Sequence, residues 1–305
     1  MTTKYDVIII GAGPAGLTAG IYTTRNNLKT LIIECLGVGG QINYTAKVDN
    51  YTGLENISSF ELIKKMQAHA ENLGVEILYD SITDLNLLDH TKQVTTEYSG
   101  TMEAPVVIIS AGCRPRELCV KGEDQFLGRG VHYCAVCDGA FYKDKKVVVV
   151  GGGNTAFEDA MLLSNIAKDV TLINILPTFQ ANQNYQQKAA TIPNLHLLAD
   201  AQVTEIYGEE NLQGIKYKKD GVEHALETDG VFVCAGRRPN SETFVDVEKD
   251  VYGYLLTNED METNLEGVFA CGDIRQKKVR QIITACGDGA IAGTMAGRYI
   301  LKFEK

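Results

Sequence analysis

An α/β fold of two domains, the second inserted into the first, is what this 305-residue sequence predicts, and three observations predict it. An apolar run, a glycine-rich turn and a helix-like stretch occur in that order at Val7–Gly16 (VIIIGAGPAG) and again at Val147–Ala156 (VVVVGGGNTA). A small-Gly-basic-Pro segment also occurs twice, at Ala111–Arg116 and Ala235–Asn240, where it reads as an outgoing and a returning linker. The length suits two domains of roughly 100–200 residues each. The expected division is 1–116 with 244–305 as one dinucleotide-binding, Rossmann-like domain, and 117–243 as the inserted one.

Tyr5–Ile10 has the apolar continuity of a buried strand. Gly11-Ala12-Gly13-Pro14-Ala15-Gly16 follows at once and opens a helix, and Thr30–Ile33 is the next strand, ending on Glu34. Glycines at these places permit a tight turn and let backbone N–H groups approach a pyrophosphate at a helix N-terminus. An acid at the second strand's end then accepts hydrogen bonds from a ribose. The full fingerprint is present, and Gly11, Gly13, Ala15, Gly16 and Glu34 are its candidate binding residues. Gly37–Gln41 (GVGGQ) is a further loop, with Gly40 and Gln41 where the backbone can lie close to a ligand. Ser58 with Glu61 reads as a capping box ahead of Leu62, Ile63, Met66, Ala70 and Leu73, a helix of core packing. Strands are expected at 75–79, 94–98 and 106–110.

The inserted part carries Cys134-Ala135-Val136-Cys137-Asp138-Gly139. Two cysteines at this spacing can close a short disulfide, often with one thiol of lowered pKa. Asp138 places a carboxyl where it can pass a proton to a departing thiolate. Half of a zinc site is the competing reading, but zinc needs four ligands and the other six cysteines supply no second CxxC. A redox centre without metal is the expectation. In the second glycine module, 156–166 reads as the helix and 170–174 as the next strand, so the chain has two nucleotide pockets, or one in use and one inherited. Strand patterns continue at 195–198, 203–206, 215–218 and 230–234. Beyond the return linker, Gly267–Ala270 is a short strand leading to Asp273, followed by Arg280, Gln281 and an alanine- and glycine-rich terminal helix. Asp273 either accepts from a ribitol hydroxyl or caps a turn, and spacing does not choose between them.

Composition narrows the function classes. A hydrophobic share of 45% and a charged share of 22% are those of an ordinary globular enzyme. A net charge of −10 argues against general nucleic-acid binding. No apolar run approaches the ~18 residues of a membrane span, and the N-terminus runs into a strand without a signal-peptide pattern. Eight scattered cysteines point to a reducing compartment, hence a cytoplasmic protein.

Taken together and in order, Gly11–Gly16, Gly39-Gly40-Gln41, Cys134–Gly139, Gly151–Ala156, Gly272-Asp273 and Arg280–Gly289 resemble the low-molecular-weight thioredoxin reductases over essentially the whole chain. The resemblance implies FAD in the split domain, a thioredoxin-reducing dithiol in the inserted one, and a homodimer. It implies that Cys137 is the flavin-facing sulfur, Cys134 the thiol that attacks thioredoxin and Asp138 the acid, with Glu34, Asp273, Arg280 and Gln281 as flavin ligands.

One departure matters. In NADPH-using members the second strand of the inserted domain ends in His-Arg-Arg with a further Arg nearby, whereas Asn174, Ile175, Leu176 and Gln180 stand here. Hydrogen bonds to charged groups contribute ~1.5–3 kcal/mol each, so losing three basic partners weakens NADPH binding by orders of magnitude. NADH is not served either, since it wants an acid where Asn174 stands. The chain therefore resembles most the ferredoxin-dependent flavin thioredoxin reductases. Two rivals remain: a nicotinamide donor held unusually by backbone and Asn174, and a non-catalytic flavin and dithiol redox sensor. An acidic ferredoxin would need a basic patch on this acidic chain. Lys277, Lys278 and Arg280 are the first candidate, and Lys143, Lys145 and Lys146 the second.

Overall fold

The computed structural model describes residues 3–45 and 47–303, the side chain of Phe303 excepted. Met1, Thr2, Glu304 and Lys305, which the expected domain limits include, lie outside the described residues, as does Ala46. The chain divides into two compact units, 1–43 with 51–114 and 238–305, and 44–50 with 115–237. The crossings fall inside the two small-Gly-basic-Pro segments, a few residues from the expected limits. The excursion at 44–50 was not anticipated.

In the first unit a five-stranded parallel sheet runs in the order Val268–Ala270, Val106–Ile109, Val7–Ile10, Thr30–Glu34, Glu76–Tyr79. Val7–Ile10, Val106–Ile109 and Val268–Ala270 are apolar without interruption and wholly buried because both faces are covered. Val7 and Ile9 join one core cluster, Ile8 and Ile10 the other, as the two-residue period of a strand requires. The first cluster lies under helices Pro14–Arg25 and Ile282–Phe303. These two helices approach closely because Gly289, Gly293 and Gly297 recur every fourth residue. A Cβ on Gly289 would stand 2.2 Å from the Ala15 carbonyl, and one on Gly293 2.7 Å from that of Ala19. The second cluster is shared with Leu87, Val94, Met102 and Ala104, from the segment whose strands Lys92–Thr96 and Gly100–Ala104 belong to a separate four-stranded sheet. The helix Ser59–Asn72 starts as predicted, with Ser58 Oγ accepting from Glu61 N–H at 3.2 Å.

The second unit repeats the plan. Its parallel sheet runs Val131–His132, Gly230–Val233, Lys146–Val150, Asp169–Ile173, Leu195–Leu198. Val147 and Val149 pack with helix Asn154–Ser164, while Val148 and Val150 pack with an antiparallel sheet of Gln202–Gly208, Leu212–Lys219 and Val222–Glu227. Among the described residues no helix is long and apolar enough to cross a membrane.

Candidate active site

In the first unit the glycines hold a turn that other residues could not adopt. Gly11 has φ +104°, and a Cβ there would meet the Ser110 carbonyl at 2.7 Å. A Cβ on Gly16 would lie 2.0 Å from the Gly11 carbonyl, so the helix can start only against a bare backbone. Gly13 differs: nothing lies within 4 Å of where its Cβ would be. Glu34 ties the neighbouring loop to this turn. Its Oε2 accepts from Ala12 N–H at 2.8 Å, and its Oε1 from Leu36 N–H at 2.9 Å and Gly37 N–H at 3.3 Å. Gly40 adopts φ +55° and comes beside Gly13. Gln41 Nε2 donates to Asp273 Oδ2 at 3.0 Å, and Gly272 (φ +79°) sits against buried Ala15. Gly11, Gly13, Ala15, Gly16, Glu34, Gly40, Gln41 and Asp273 are thus one cluster. Arg280 and Gln281 stand at the start of the helix Ile282–Phe303; the Arg280 guanidinium lies 4.1 Å from the Tyr254 ring centroid, and Gln281 N–H donates to Thr284 Oγ1 at 3.1 Å.

The first basic patch is corrected by the structure. The Lys277 side chain is only 8% exposed, with Nζ 2.9 Å from Asp288 Oδ2 and 3.8 Å from Asp273 Oδ1. Arg280 is stacked on Tyr254, which leaves Lys278 as the exposed cation of the three. The two adjacent lysines look like a solvated run in sequence, but Asp288, one helical turn and more into the last helix, draws Lys277 inward. Lys143, Lys145 and Lys146 are exposed.

In the second unit Cys134 and Cys137 form a disulfide. Cys134 caps the four-residue helix Ala135–Asp138, its sulfur accepting from Cys137 N–H at 3.2 Å. Tyr133 is anchored to buried Glu123 at 2.9 Å, and Glu123 also accepts from Leu118 and Cys119 N–H. Asp138 is 2% exposed, held through Oδ1 by the Thr45 hydroxyl, with Oδ2 3.3 Å from His132 Nδ1. Two of the remaining thiols compete poorly. Burial pushes the Cys234 thiol up, helped by Asp159 at 3.1 Å, and burial followed by Asp288 does the same for Cys271. Thr45, His132 and Tyr142 escaped the sequence reading; a histidine closing a buried strand two residues before the CxxC was the signal available.

The second glycine turn is formed but occupied. A Cβ on Gly151 would meet the Cys234 carbonyl at 2.4 Å, and Gly153, like Gly13, has nothing within 4 Å. Above Gly152, however, Asn174 Oδ1 and Gln180 Oε1 each come within 2.5 Å of the place a Cβ would take. Asn174 is buried, and its Nδ2 donates to the Leu176 and Thr178 carbonyls at 3.1 and 2.8 Å. Gln180 Nε2 also donates to Thr178 O. Asn174 therefore spends both its donors on its own loop, and Gln180 at least one. Among the described residues no group of three His, Cys, Asp or Glu could hold a metal ion.

Residues 5–289 match the family model described as "Pyridine nucleotide-disulphide oxidoreductase". A protein named thioredoxin reductase from Listeria monocytogenes is 42% identical over 99% of this chain and 95% of its own length. The crystal structure of thioredoxin reductase from Streptococcus pyogenes superposes with a TM-score of 0.94 at 39% identity, covering 99% of this chain and 100% of that one. A ferredoxin-flavin thioredoxin reductase from Clostridium acetobutylicum superposes with a TM-score of 0.55 at 28% identity, covering 99% and 100%. The chain belongs to the pyridine nucleotide-disulphide oxidoreductase family, among its low-molecular-weight thioredoxin reductases, and FAD is the cofactor. The residues present fit that group: open space over Gly13 where backbone N–H groups meet a pyrophosphate, and a polar pair, Gln41 and Asp273, beside it.

Proposed function

We propose that this member of the family reduces thioredoxin through Cys134 and Cys137, with reduced ferredoxin rather than NADPH as the source of electrons. When bound by the Gly11–Gly16 turn, Glu34, Gly40, Gln41, Asp273, Arg280 and Gln281, FAD supplies two electrons to the disulfide. On this reading Cys137 is the flavin-facing sulfur. The Cys134 thiolate forms a mixed disulfide with thioredoxin and releases one thiolate, which receives the proton of Asp138. Cys137 then displaces the second thiolate and restores the Cys134–Cys137 disulfide. Bonds and electrons balance as one disulfide is exchanged for another. The family likeness extends the proposal to a cytoplasmic homodimer, for which exposed Ile283 and Ile291 on the last helix offer apolar surface.

The observation that carries the choice of donor is the state of Asn174. A 2′-phosphate needs donors at this strand end, and the amide N–H groups of Asn174 already serve Leu176 and Thr178. Exposed Ile175 and Leu176 follow where cations would be needed. The more similar relatives carry the plain name, so the proposal rests on these residues of this chain. Energetics allow it: a ferredoxin near −400 mV against thioredoxin near −270 mV is about 130 mV, or ~6 kcal/mol for two electrons. The second lysine group, Lys143, Lys145 and Lys146, is the docking candidate that stays exposed. One observation favours a second reading: the open space over Gly153 could take a nicotinamide dinucleotide bound by backbone alone.

The deciding experiment is anaerobic bleaching of the flavin by NADPH, NADH and reduced ferredoxin in parallel. Reduction by ferredoxin within catalytic time, slowed steeply by salt, is the expected result. Rapid reduction by micromolar NADPH or NADH with none by ferredoxin would overturn it. Turnover with thioredoxin eliminates the sensor.

A further inference from the structure

Behind Asp138 the second unit buries a chain of polar groups that disulfide exchange at the sulfurs does not by itself require. His132 ends the strand Val131–His132 and is 4% exposed. Its Nδ1 lies 3.3 Å from Asp138 Oδ2, within ion-pair distance but without hydrogen-bond geometry, and its Nε2 lies 2.7 Å from the Tyr142 hydroxyl. The imidazole stacks on Phe232 at 5.3 Å, and Tyr142 meets the same ring edge-on at 5.2 Å. Ala135, Val147, Val149 and Phe157 complete the apolar surroundings. Polar groups persist in such a core as one another's partners.

The partners fix the tautomer. Burial, then the charges of Asp138 and Asp229, push the Tyr142 phenol up, so it stays protonated. Its hydrogen-bond partner among the described residues is His132 Nε2, so its O–H is donated there. The imidazole proton then sits on Nδ1, facing Asp138. The charged and titratable groups around this chain are Asp138 at one end and Tyr142 at the other, with Asp229 toward Tyr142 and Lys145 Nζ 5.4 Å from the Tyr142 ring centroid.

We propose that His132 is a positioning residue for proton transfer at Asp138, its Nδ1–H, oriented by Tyr142, facing Oδ2 at 3.3 Å and stabilising the carboxylate between two transfers. This rests on the reading of Asp138 as the acid. In the first transfer a thiol of the reduced pair loses its proton to the carboxylate, an S–H bond breaking as an O–H bond forms. In the second the carboxylic acid gives that proton to the thiolate released from thioredoxin. The net result is one proton moved between sulfurs, with no further oxidant or reductant. His132 supplies the half of the cycle in which Asp138 is charged and buried.

The test uses the FAD-loaded full chain, reduced photochemically and mixed with oxidised thioredoxin in single turnovers across pH. His132→Leu should slow exchange roughly tenfold or more, as loss of a polar partner beside a buried carboxylate implies. KM for thioredoxin should stay unchanged while the acid limb of the pH–rate profile moves to higher pH. His132→Asn, whose amide N–H can take the place of Nδ1–H, should recover most of the rate, and Tyr142→Phe should fall between. Within Asp138→Asn, adding His132→Leu should cost nothing more. The proposal is overturned if His132→Leu keeps the parent rate and profile. It is equally overturned if His132→Asn falls as far as His132→Leu with an unmoved profile, the signature of packing alone. An Asp138→Asn variant at parent speed overturns the acid reading itself. A slow Asp138→Asn beside a fast His132→Leu overturns only the role of His132.

Discussion

At Gly13 and at Gly153 the backbone is extended, with φ −76° and −88°, each residue begins a helix, and neither has an atom within 4 Å of where a Cβ would stand. The residue before each is where the two turns part. Ala12 receives the strand-end carboxylate of Glu34 on its N–H and the Gly39 N–H on its carbonyl. Gly152 receives Gln180 and Ala181 N–H on its carbonyl, and the strand-end Asn174 turns its oxygen over the glycine while its nitrogen binds its own loop. The backbone pattern of a nucleotide turn thus survives in both units, serving helix and strand packing in either case. On the proposed reading, what separates the flavin turn from an unused one is the strand-end side chain and the loop it commands.

The largest test of that contrast is a matched pair. Gly13→Val should fill the open cradle and give colourless or unstable protein, whereas Gly153→Val should leave flavin content intact and, if ferredoxin is the donor as proposed, turnover with it as well. Flavin absorbance per protein decides it, and loss of flavin in both variants, or in neither, breaks the comparison. A second pair probes the packing role of the same motif. Gly16→Ala places a methyl 2.0 Å from the Gly11 carbonyl and should cost about 1–3 kcal/mol as overpacking. The reverse change in the other unit, Ala156→Gly, deletes a fully buried methyl at the helix start and should cost about 1–2 kcal/mol through lost burial and helix propensity. Denaturant unfolding of the two variants measures both.

These motifs were legible because they are local: strand, turn and helix start are read within one stretch of ten residues, at Val7–Gly16 and at Val147–Ala156. The strands Ile82–Asn86 and Val222–Glu227 were not. Val222–Glu227 is almost wholly exposed, so it carries no apolar alternation to read, and Ile82–Asn86 is half-exposed. The short helix Gln183–Ala189 was missed for a related reason, since among its own residues only Ala189 is buried. In the candidate site the dithiol and Asp138 could be named from spacing. The contacts of Asp138 could not, because Thr45 comes from a segment 93 residues away. Charge was the least legible property, as Lys277 shows: pairing with Asp288 and Asp273 is a tertiary fact that a run of two lysines hides.

A smaller effect is expected at the strand end of the second unit. Asn174→Ala removes the two hydrogen bonds to Leu176 and Thr178 and should lower stability by about 1–2 kcal/mol. The flavin spectrum should not change, and on the proposed reading the rate of bleaching by NADPH should stay at the parent's value. If the variant instead became readily reducible by NADPH, the loop would be a latch over a working pocket and the turn no relic.

The smallest effect concerns the ends of the edge strands Glu76–Tyr79 and Leu195–Leu198, where the units differ again. In the first unit Asp80 follows Glu76–Tyr79 and is buried, accepting from Ser81, Tyr98 and Ser99 N–H at 2.8 to 3.2 Å. In the second, Asp200 stands near the end of Leu195–Leu198 with φ +54° and is exposed. Burial alone would raise the Asp80 carboxyl, but hydrogen bonds from Ser99, Thr96, Ser81 and Tyr98 outweigh it and hold the group at about 2. A pKa lowered in the folded state contributes stability that is present above the unfolded value, near 3.9, and is lost as pH falls through the folded value. The first unit should therefore lose stability between about pH 4 and pH 2, and Asp80→Asn should flatten that part of the curve. Asp200→Asn, at an exposed position, is the matched control for the substitution. Urea midpoints measured across this range compare the three proteins. An acid transition unaltered by Asp80→Asn would show that the link between parallel strand and antiparallel sheet in the first unit does not depend on this carboxylate.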